Sequence, residues 1–152
     1  MSGFSNSAAI VGIGATEFSK ESGRSELQLS CEATLAALAD AGLTPKDVDG
    51  LVTFKMDNSS EIALARELGM GDLRFFSRVD YGGGAACGTV QQAAMAVATG
   101  VADVVVCYRG FNERSGQRYG QVQSWAATQV NSNGLDNAWS YPYGLSTPAA
   151  TV

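Results

Sequence analysis

Histidine is absent from this sequence of 152 residues, and cysteine and proline occur only three times each. Without histidine, these residues alone cannot form a Cys-His pair or a Ser-His-Asp triad. Lysine and arginine form no run, and the formal net charge is −5. Because affinity for nucleic acid comes largely from cationic contacts to phosphate, we expect no nucleic acid partner.

Long hydrophobic runs are absent as well. The run from Val101 to Cys107 contains Asp103 and is far shorter than the ~20 apolar residues that a membrane-spanning helix needs. No charged and then apolar leader opens the chain, so we expect a cytoplasmic protein without a membrane span. The cysteines are Cys31, Cys87 and Cys107. They are widely spaced within apolar patterns, which favours reduced, buried thiols over disulfides or a metal site.

The apolar residues that are present form alternating strand and helix patterns. Ser25 begins a capping-box pattern, and Gly42, Gly69 and Gly100 mark helix ends. In chain order the sequence predicts a fully buried strand at 8–14, a helix at 25–42, a strand at 50–54, a helix at 60–68, a strand at 73–80, a helix at 84–99 and a strand at 101–107. This order predicts an α/β layered fold. The last helix is rich in alanine and is expected to be buried on every side, and the last strand is expected to be covered on both faces.

Beyond these elements the pattern loses its period. We expect residues 1–110 to form the core of one half-domain and residues 111–147 to form an irregular excursion that covers substrate or a dimer interface. Thr147 and Pro148 then predict a helix that starts at 148–152 and continues past Val152. We therefore expect an amino-terminal fragment of a longer protein.

The most informative motif follows the third predicted strand and reads Asp80-Tyr81-Gly82-Gly83-Gly84-Ala85-Ala86-Cys87-Gly88. Three glycines between a strand and a helix allow the backbone to turn sharply and to come close to a ligand. The first N–H groups of the helix that follows can bind negative charge. The motif therefore predicts a site built largely from main chain.

Five segments together resemble the thiolase superfamily, in its lipid-transfer-protein-like branch. They are AIVGIGATEF at 9–18, ADAGL at 39–43, DVDG at 47–50, the glycine motif at 80–88 and GVADVVV at 100–106. The resemblance implies a thiolase-like fold of αβαβα layers built from two similar halves, of which this chain covers most of the first. It also implies a homodimer that pairs the strand around Phe75 to Asp80 with its copy.

In thiolases a nucleophilic cysteine stands at this strand-to-helix turn. The helix length usual for the family places that position on Gly83, and glycine cannot attack a thioester. An alternative register makes Cys87 the nucleophile but leaves the helix about one turn short. In the first register Cys87 is a small buried apolar residue, as Cys31 and Cys107 are expected to be.

A site that lacks the nucleophile but still stabilises the enolate of a CoA thioester can run a retro-aldol reaction. Through the motif from Tyr81 to Gly88, the chain resembles steroid side-chain-cleaving aldolases. The resemblance implies cleavage of a 17-hydroxy steroid 20-carboxyl-CoA thioester into a 17-keto steroid and propionyl-CoA, without a metal or organic cofactor. It also implies a DUF35 partner protein, with a zinc ribbon and an OB-fold, and a general base outside these residues.

Six residues are candidates for binding the acyl-CoA substrate: Tyr81, Gly83, Gly84, Arg114, Arg118 and Tyr143. The glycines would give the thioester room, or would only allow close packing at a dimer centre. The tyrosines would line the steroid pocket or supply a hydroxyl, or would only pack. The two arginines, together with Arg109, could bind the CoA phosphates, or could form a solvated loop face.

Two other functions remain open at this point. The chain could belong to a thiolase-type acyltransferase that uses Cys87. It could also belong to a non-catalytic subunit that binds acyl-CoA or lipid and acts as a scaffold for an active partner.

Overall fold

A computed structural model describes residues 5–54, 59–79 and 85–112. The chain divides into a unit of residues 1–111 and a unit of residues 112–152. The described elements are α1 (Glu26–Ala41), a short 3-10 helix (Pro45–Asp47), β1 (Gly50–Phe54), α2 (Glu61–Leu68), β2 (Phe75–Val79), α3 (Ala85–Ala98) and β3 (Val105–Cys107). None of the described helices has the length and apolar character to cross a membrane.

The three strands form one parallel sheet in the order β2-β1-β3. Gly50 of β1 stands opposite Phe75 of β2 and Val105 of β3. Because β1 lies between two neighbours, all five of its residues are buried. Parallel neighbours need a crossover connection, which the helices supply, so the predicted α/β class is confirmed.

The helix ends have the caps that the sequence predicts. The Ser25 hydroxyl accepts a hydrogen bond from the backbone N–H of Gln28 at 3.1 Å, and Gly42 ends α1 with φ 69°. In α2, the Ser60 hydroxyl accepts from the N–H of Ala63 and Gly69 ends the helix with φ 61°. These left-handed backbone angles favour glycine, which has no Cβ to clash with the preceding carbonyl.

Helices cover both faces of the sheet. Leu38 of α1, Leu64 of α2 and Leu51 of β1 form a buried cluster on one face. Successive side chains of a strand point to opposite faces. On the opposite face α3 contacts all three strands, and a Cβ added at Gly88 would meet the side chain of Val79 in β2. The sheet is therefore the middle layer. Helices α1 and α2 cover one face, and α3 covers the other.

A polar cluster joins the end of α3 to the start of β1 and β3. The Asp49 carboxylate accepts hydrogen bonds from the N–H groups of Asp103 at 3.0 Å and Val104 at 2.8 Å. Arg74 donates to the carbonyl oxygens of Gly100 and Val101, and its Nη1 lies 3.5 Å from Asp49. This cluster satisfies backbone groups that the short strand β3 leaves without a strand partner.

The predicted strand at 8–14 is wrong. The segment has no strand or helix structure, and Ile10, Val11 and Ile13 are 75%, 65% and 75% exposed. It lies against α1 because Gly12 and Gly14 come so close to the α1 backbone that an added Cβ would collide with it. Gly12 and Gly14 therefore allow the segment to contact α1 closely, whereas its apolar side chains are exposed.

The predicted burial of the last helix and strand is also wrong in part. Val90 and Met95 of α3 are 44% and 43% exposed, so one face of this helix has no cover within the described residues. The strand predicted at 101–107 is shorter, because only Val105–Cys107 pairs with β1. Cys107 at its end is exposed.

Candidate functional site

The carboxyl ends of the three parallel strands define the candidate site. Phe54, Val79 and Cys107 end β1, β2 and β3 at the same edge of the sheet, and α3 begins at this edge because it follows β2. In open α/β sheets ligands bind beyond the carboxyl ends of the strands. The glycine motif joins β2 to α3 and so belongs to this edge by its position in the sequence.

The six predicted substrate-binding residues lie outside the described residues: Tyr81, Gly83, Gly84, Arg114, Arg118 and Tyr143. The structure therefore leaves their roles as predictions. The structure does describe Cys87, the nucleophile of the alternative mechanism. It is the third residue of α3, in the first turn, and it is exposed. The expectation that Cys87 is buried is wrong for this chain, because the exposed face of α3 includes it.

The other two thiols differ from Cys87 in their surroundings. Cys31 of α1 is half-buried, and burial raises the pKa of its thiol, with further contributions from the charges of Glu67 and Glu32. Cys107 is exposed as a residue, but its sulfur lies against α3, and the loss of water around the sulfur raises the pKa of this thiol; a hydrogen bond with the Thr89 side chain acts in the opposite direction. A raised pKa keeps a thiol protonated at neutral pH, and a protonated thiol is a poor nucleophile.

Cys107 also shows where β3 lies relative to α3. Its Sγ is 3.5 Å from the carbonyl oxygen of Thr89, which is two residues after Cys87 in α3. The Thr89 hydroxyl in turn donates to the carbonyl oxygen of Ala86 at 2.6 Å. The end of β3 therefore packs beside the first turns of α3.

Arg109, two residues after β3, stacks against two aromatic rings at this edge. Its guanidinium carbon lies 5.2 Å from the ring centre of Phe54 and 4.5 Å from the ring centre of Phe111. Both distances are within the range of cation–π interactions. Sequence reasoning named Arg109 but missed both phenylalanines. Neither lies at a spacing that points to Arg109, because Phe54 ends β1 and Phe111 follows β3 in a segment without regular structure.

The residues beside Arg109 are fixed by contacts with the other face of the sheet. The Tyr108 side chain is buried among α1 and α2 residues, and its hydroxyl donates to the carbonyl oxygen of Ser59 at 2.9 Å. Gly110 lies so close to Ser30 and the Glu26 carbonyl oxygen of α1 that an added Cβ would collide with them. The backbone on both sides of Arg109 is therefore held in place.

No set of three His, Cys, Asp or Glu side chains in residues 5–54, 59–79 and 85–112 is arranged to hold a metal ion. The Asp49 carboxylate accepts hydrogen bonds from the backbone N–H groups of Asp103 and Val104. It lies before β1 and thus at the opposite edge of the sheet from the candidate site.

Two curated relatives match almost the whole chain. Over 148 residues, or 97% of this chain, it is 70% identical to a 17-hydroxy-3-oxo-4-pregnene-20-carboxyl-CoA lyase of Mycobacterium tuberculosis. Over 152 residues it is 68% identical to a steroid side-chain-cleaving aldolase of Thermomonospora curvata. The chain spans 38% and 39% of the lengths of these relatives. No protein-family model matches the chain.

Solved structures support the same relationship. A structure described as an Ltp2-ChsH2(DUF35) aldolase matches 93% of this chain and 35% of its own chain, with a TM-score of 0.73 and 67% identity. A monomeric SCP2-thiolase-like protein from Mycobacterium smegmatis matches 64% of this chain and 22% of its own, with a TM-score of 0.55 and 26% identity. OleA from Xanthomonas campestris has a TM-score of 0.52 at 17% identity, over 59% of this chain and 28% of its own, and shares the fold alone.

These matches confirm the predicted fold class and the predicted resemblance. The fold is thiolase-like, and the chain is a homologue of the steroid side-chain-cleaving aldolases.

Proposed function

We propose that the protein is a carbon–carbon lyase that cleaves a 17-hydroxy steroid 20-carboxyl-CoA thioester into a 17-keto steroid and propionyl-CoA. The observation that carries the proposal is the 70% identity, over 97% of this chain, to a lyase named for such a substrate. This chain spans only 38% of the length of that relative, so the activity of the whole protein is proposed here.

The proposed reaction is a retro-aldol cleavage. A general base removes the proton of the 17-hydroxyl group, the bond between C17 and the α-carbon of the thioester breaks, and its electron pair moves into the thioester. The products are a ketone and the enolate of propionyl-CoA, which takes a proton at carbon. Atoms and charge balance without an oxidant, a metal or an organic cofactor. We place the base outside these 152 residues.

We also propose that the reaction proceeds without a cysteine nucleophile. The resemblance puts Gly83 at the position of the thiolase cysteine. The raised pKa values of Cys31 and Cys107 make both thiols poor nucleophiles at neutral pH. In a retro-aldol cleavage the enolate is the leaving group, so no acyl-enzyme is needed.

The proposal includes two protein partners. The DUF35 protein named in the structure of the related aldolase supports a DUF35 partner, which we expect to carry the zinc ribbon and OB-fold. A second copy of the protein would pair at the strand around Phe75 to Asp80. In the sheet of described strands β2 is an edge strand, and Phe76 is 65% exposed. Edge strands offer unpaired backbone groups to another chain. We assign the protein to the cytoplasm.

One observation favours a second candidate function. Because Cys87 is exposed in the first turn of α3, an acyl group could reach its sulfur. A thiolase-type acyltransferase would use this thiol to form an acyl-enzyme. Such an intermediate adds the mass of the acyl group to the protein and is trapped by acid quenching.

A product assay separates these functions. The complete protein, with and without its DUF35 partner, is incubated with the 17-hydroxy steroid 20-carboxyl-CoA thioester and the products are separated by chromatography. We expect the 17-ketone and propionyl-CoA in equal amounts. An acyl-enzyme together with thiolysis products would support the acyltransferase instead. Binding without turnover in both preparations would support a scaffold.

A further inference from the structure

Strand β2 is the longer of the two edge strands in the sheet of described strands, with five residues against three in β3. The N–H of Phe75 donates to the carbonyl oxygen of the residue before β1 at 3.1 Å. Because the backbone groups of successive strand residues point to opposite sides, Ser77 and Val79 also face β1. The N–H and C=O groups of Phe76 and Arg78 therefore point away from β1, where another strand can pair with them.

The side chains of Phe76 and Arg78 lie on the face of the sheet that α1 and α2 cover. Phe76 stands opposite Leu51 of β1, which belongs to the buried cluster on that face. Residues two apart in a strand share a face, so Arg78 has the same orientation as Phe76. Phe76 is nevertheless 65% exposed, and the Arg78 side chain is 39% exposed. The edge of β2 thus presents an aromatic ring and a guanidinium group two residues apart.

The guanidinium group of Arg78 is held by α2. Its Nη2 donates to Oε2 of Glu61 at 2.8 Å, and the Glu61 side chain is only 18% exposed. This hydrogen bond restricts the rotamers of Arg78 in advance, so less entropy is lost when the side chain makes a further contact. The planar face of a guanidinium group stacks favourably on an aromatic ring. Arg78 is therefore positioned to receive a ring at the edge of the sheet.

The geometry points to a second copy of this chain at the edge, with its β2 antiparallel to the first about a two-fold axis at Ser77, so that Arg78 of each copy stacks on Phe76 of the other. The inference rests on the homodimer of the proposed function and not on the proposed reaction. In a two-fold interface the same residues of both copies meet. Phe76 then faces Arg78 of the second copy, and each facing pair exchanges both of its N–H···O bonds.

The position of the axis follows from the length and charge of β2. With the axis at Ser77, all five residues of β2 face residues of the second β2. An axis at Phe76 leaves facing residues only within 75–77. An axis at Arg78 leaves them only within 77–79 and places two like charges opposite each other, which is unfavourable. In the register centred on Ser77, the Cα atoms of Phe76 and the facing Arg78 are about 5.5 Å apart, which allows a cation–π contact.

Disulfide cross-linking of the complete protein tests this register. At the axis, Ser77 faces its own copy at a Cα separation of about 4.5 Å, which is within the range of a disulfide. We expect Ser77→Cys to form a linked dimer about tenfold faster or more than Phe76→Cys and Arg78→Cys, whose sulfurs would lie two residues out of register with their copies. The wild-type protein gives the background from its native thiols. Faster linkage through Phe76→Cys or Arg78→Cys would overturn the register.

The dissociation constant of the dimer, measured by sedimentation equilibrium, tests the stack itself. We expect Arg78→Gln to raise Kd by roughly 5- to 30-fold, because two partly exposed cation–π contacts are lost. Arg66→Gln is the matched control, since Arg66 is an exposed arginine of α2 rather than β2, and Kd should change by less than about twofold. Dimerisation of Arg78→Gln as tight as that of the wild type, or tighter, would show that Arg78 shields the edge and would overturn the inference.

An exchange of the two residues tests whether they face each other. Phe76→Arg alone places like charges opposite each other, and we expect Kd to rise by about 30-fold or more. The double variant Phe76→Arg with Arg78→Phe restores a ring opposite a guanidinium in the same register, so Kd should return to within about fivefold of the wild-type value. A double variant that folds by circular dichroism but does not regain dimerisation would overturn the inference. If it does not fold, the cross-linking rates decide.

These measurements separate the inference from the proposed function. A wild-type dimer whose variants show none of the expected effects would overturn the inference and leave the proposed homodimer intact. A complete protein that remains a monomer at every concentration would contradict both. Steroid cleavage is measured in the same wild-type preparation, and its absence from a dimer with the expected cross-links would contradict the proposed lyase alone.

Discussion

Replacement of Asp49 by alanine gives a sharp test of what holds β3 in the sheet. The Asp49 carboxylate accepts from the N–H groups of Asp103 and Val104, and its side chain is only 16% exposed. Hydrogen bonds to a charged group contribute roughly 1.5–3 kcal/mol each, and the partly exposed pair with Arg74 adds less than about 1 kcal/mol. Allowing for hydration of the freed N–H groups, we expect the free energy of local opening to fall by about 2–4 kcal/mol.

Hydrogen exchange of the backbone amides of Asp103 and Val104 measures this loss. Since 1.4 kcal/mol is a factor of ten, Asp49→Ala should accelerate exchange by roughly 30- to 700-fold. Asp49→Asn keeps one oxygen acceptor and should show about half the loss in free energy. Asp103→Ala is the matched control. Its carboxylate also contacts Arg74, at 3.1 Å, but is 77% exposed and accepts no backbone N–H from residues 5–54, 59–79 or 85–112, so exchange should change by less than about fivefold. Equal effects of Asp49→Ala and Asp103→Ala would refute the reasoning.

Two further changes test the helix contacts. Loss of water would raise the pKa of Glu61, but a hydrogen bond from its own backbone N–H and the Arg78 guanidinium at 2.8 Å together lower it. A lowered folded pKa stabilises the protein above the unfolded value of ~4.3 and loses that contribution below it. Glu61→Gln should therefore destabilise the protein in urea unfolding at pH 7, and this effect should shrink as the pH falls below ~4.3 and through the lower folded pKa of Glu61. The matched control is Glu67→Gln, which removes an exposed carboxylate of the same helix. Gly14→Ala should cost roughly 1–3 kcal/mol and speed proteolysis near residues 8–18, because the added Cβ collides with the α1 backbone. Gly71→Ala, where the nearest atom is 3.4 Å away, should not, and equal proteolysis of the two variants would contradict the contact.

Local signals predict most of the fold. Ser25, Gly42 and Gly69 locate helix ends because capping is a matter of a few neighbouring residues, and the bounds of α1, α2 and β1 agree with the prediction. The prediction of a strand at 8–14 is wrong for a physical reason. An apolar run between glycines reads as a buried strand, but the glycines can equally serve a close contact with a helix, and the sequence does not show which. The predicted burial of Cys87 and Cys107 is wrong for the same kind of reason, because an apolar pattern does not reveal which face remains uncovered, whereas Cys31 does pack against the core.

The candidate site is predicted less completely than the fold. The carboxyl edge of the sheet follows from the strand order, and the glycine motif belongs to it. Arg109 stacks on Phe54, which is far away in the sequence, and on Phe111, which lies in a segment without regular structure. No periodic pattern therefore indicates this contact. The roles of Tyr81, Gly83 and the other residues outside the described ranges stay predictions.

The central claim is that cleavage needs no cysteine nucleophile, and the turnover of Cys87→Ala tests it most directly. The variant of the complete protein, with its DUF35 partner, is given the 17-hydroxy steroid 20-carboxyl-CoA thioester while propionyl-CoA and the 17-ketone are quantified. Because the enolate leaves without an acyl-enzyme, we expect kcat within about threefold of the wild-type value. A loss of 10³-fold or more in a variant that is still folded would show that Cys87 carries the chemistry and would contradict the account.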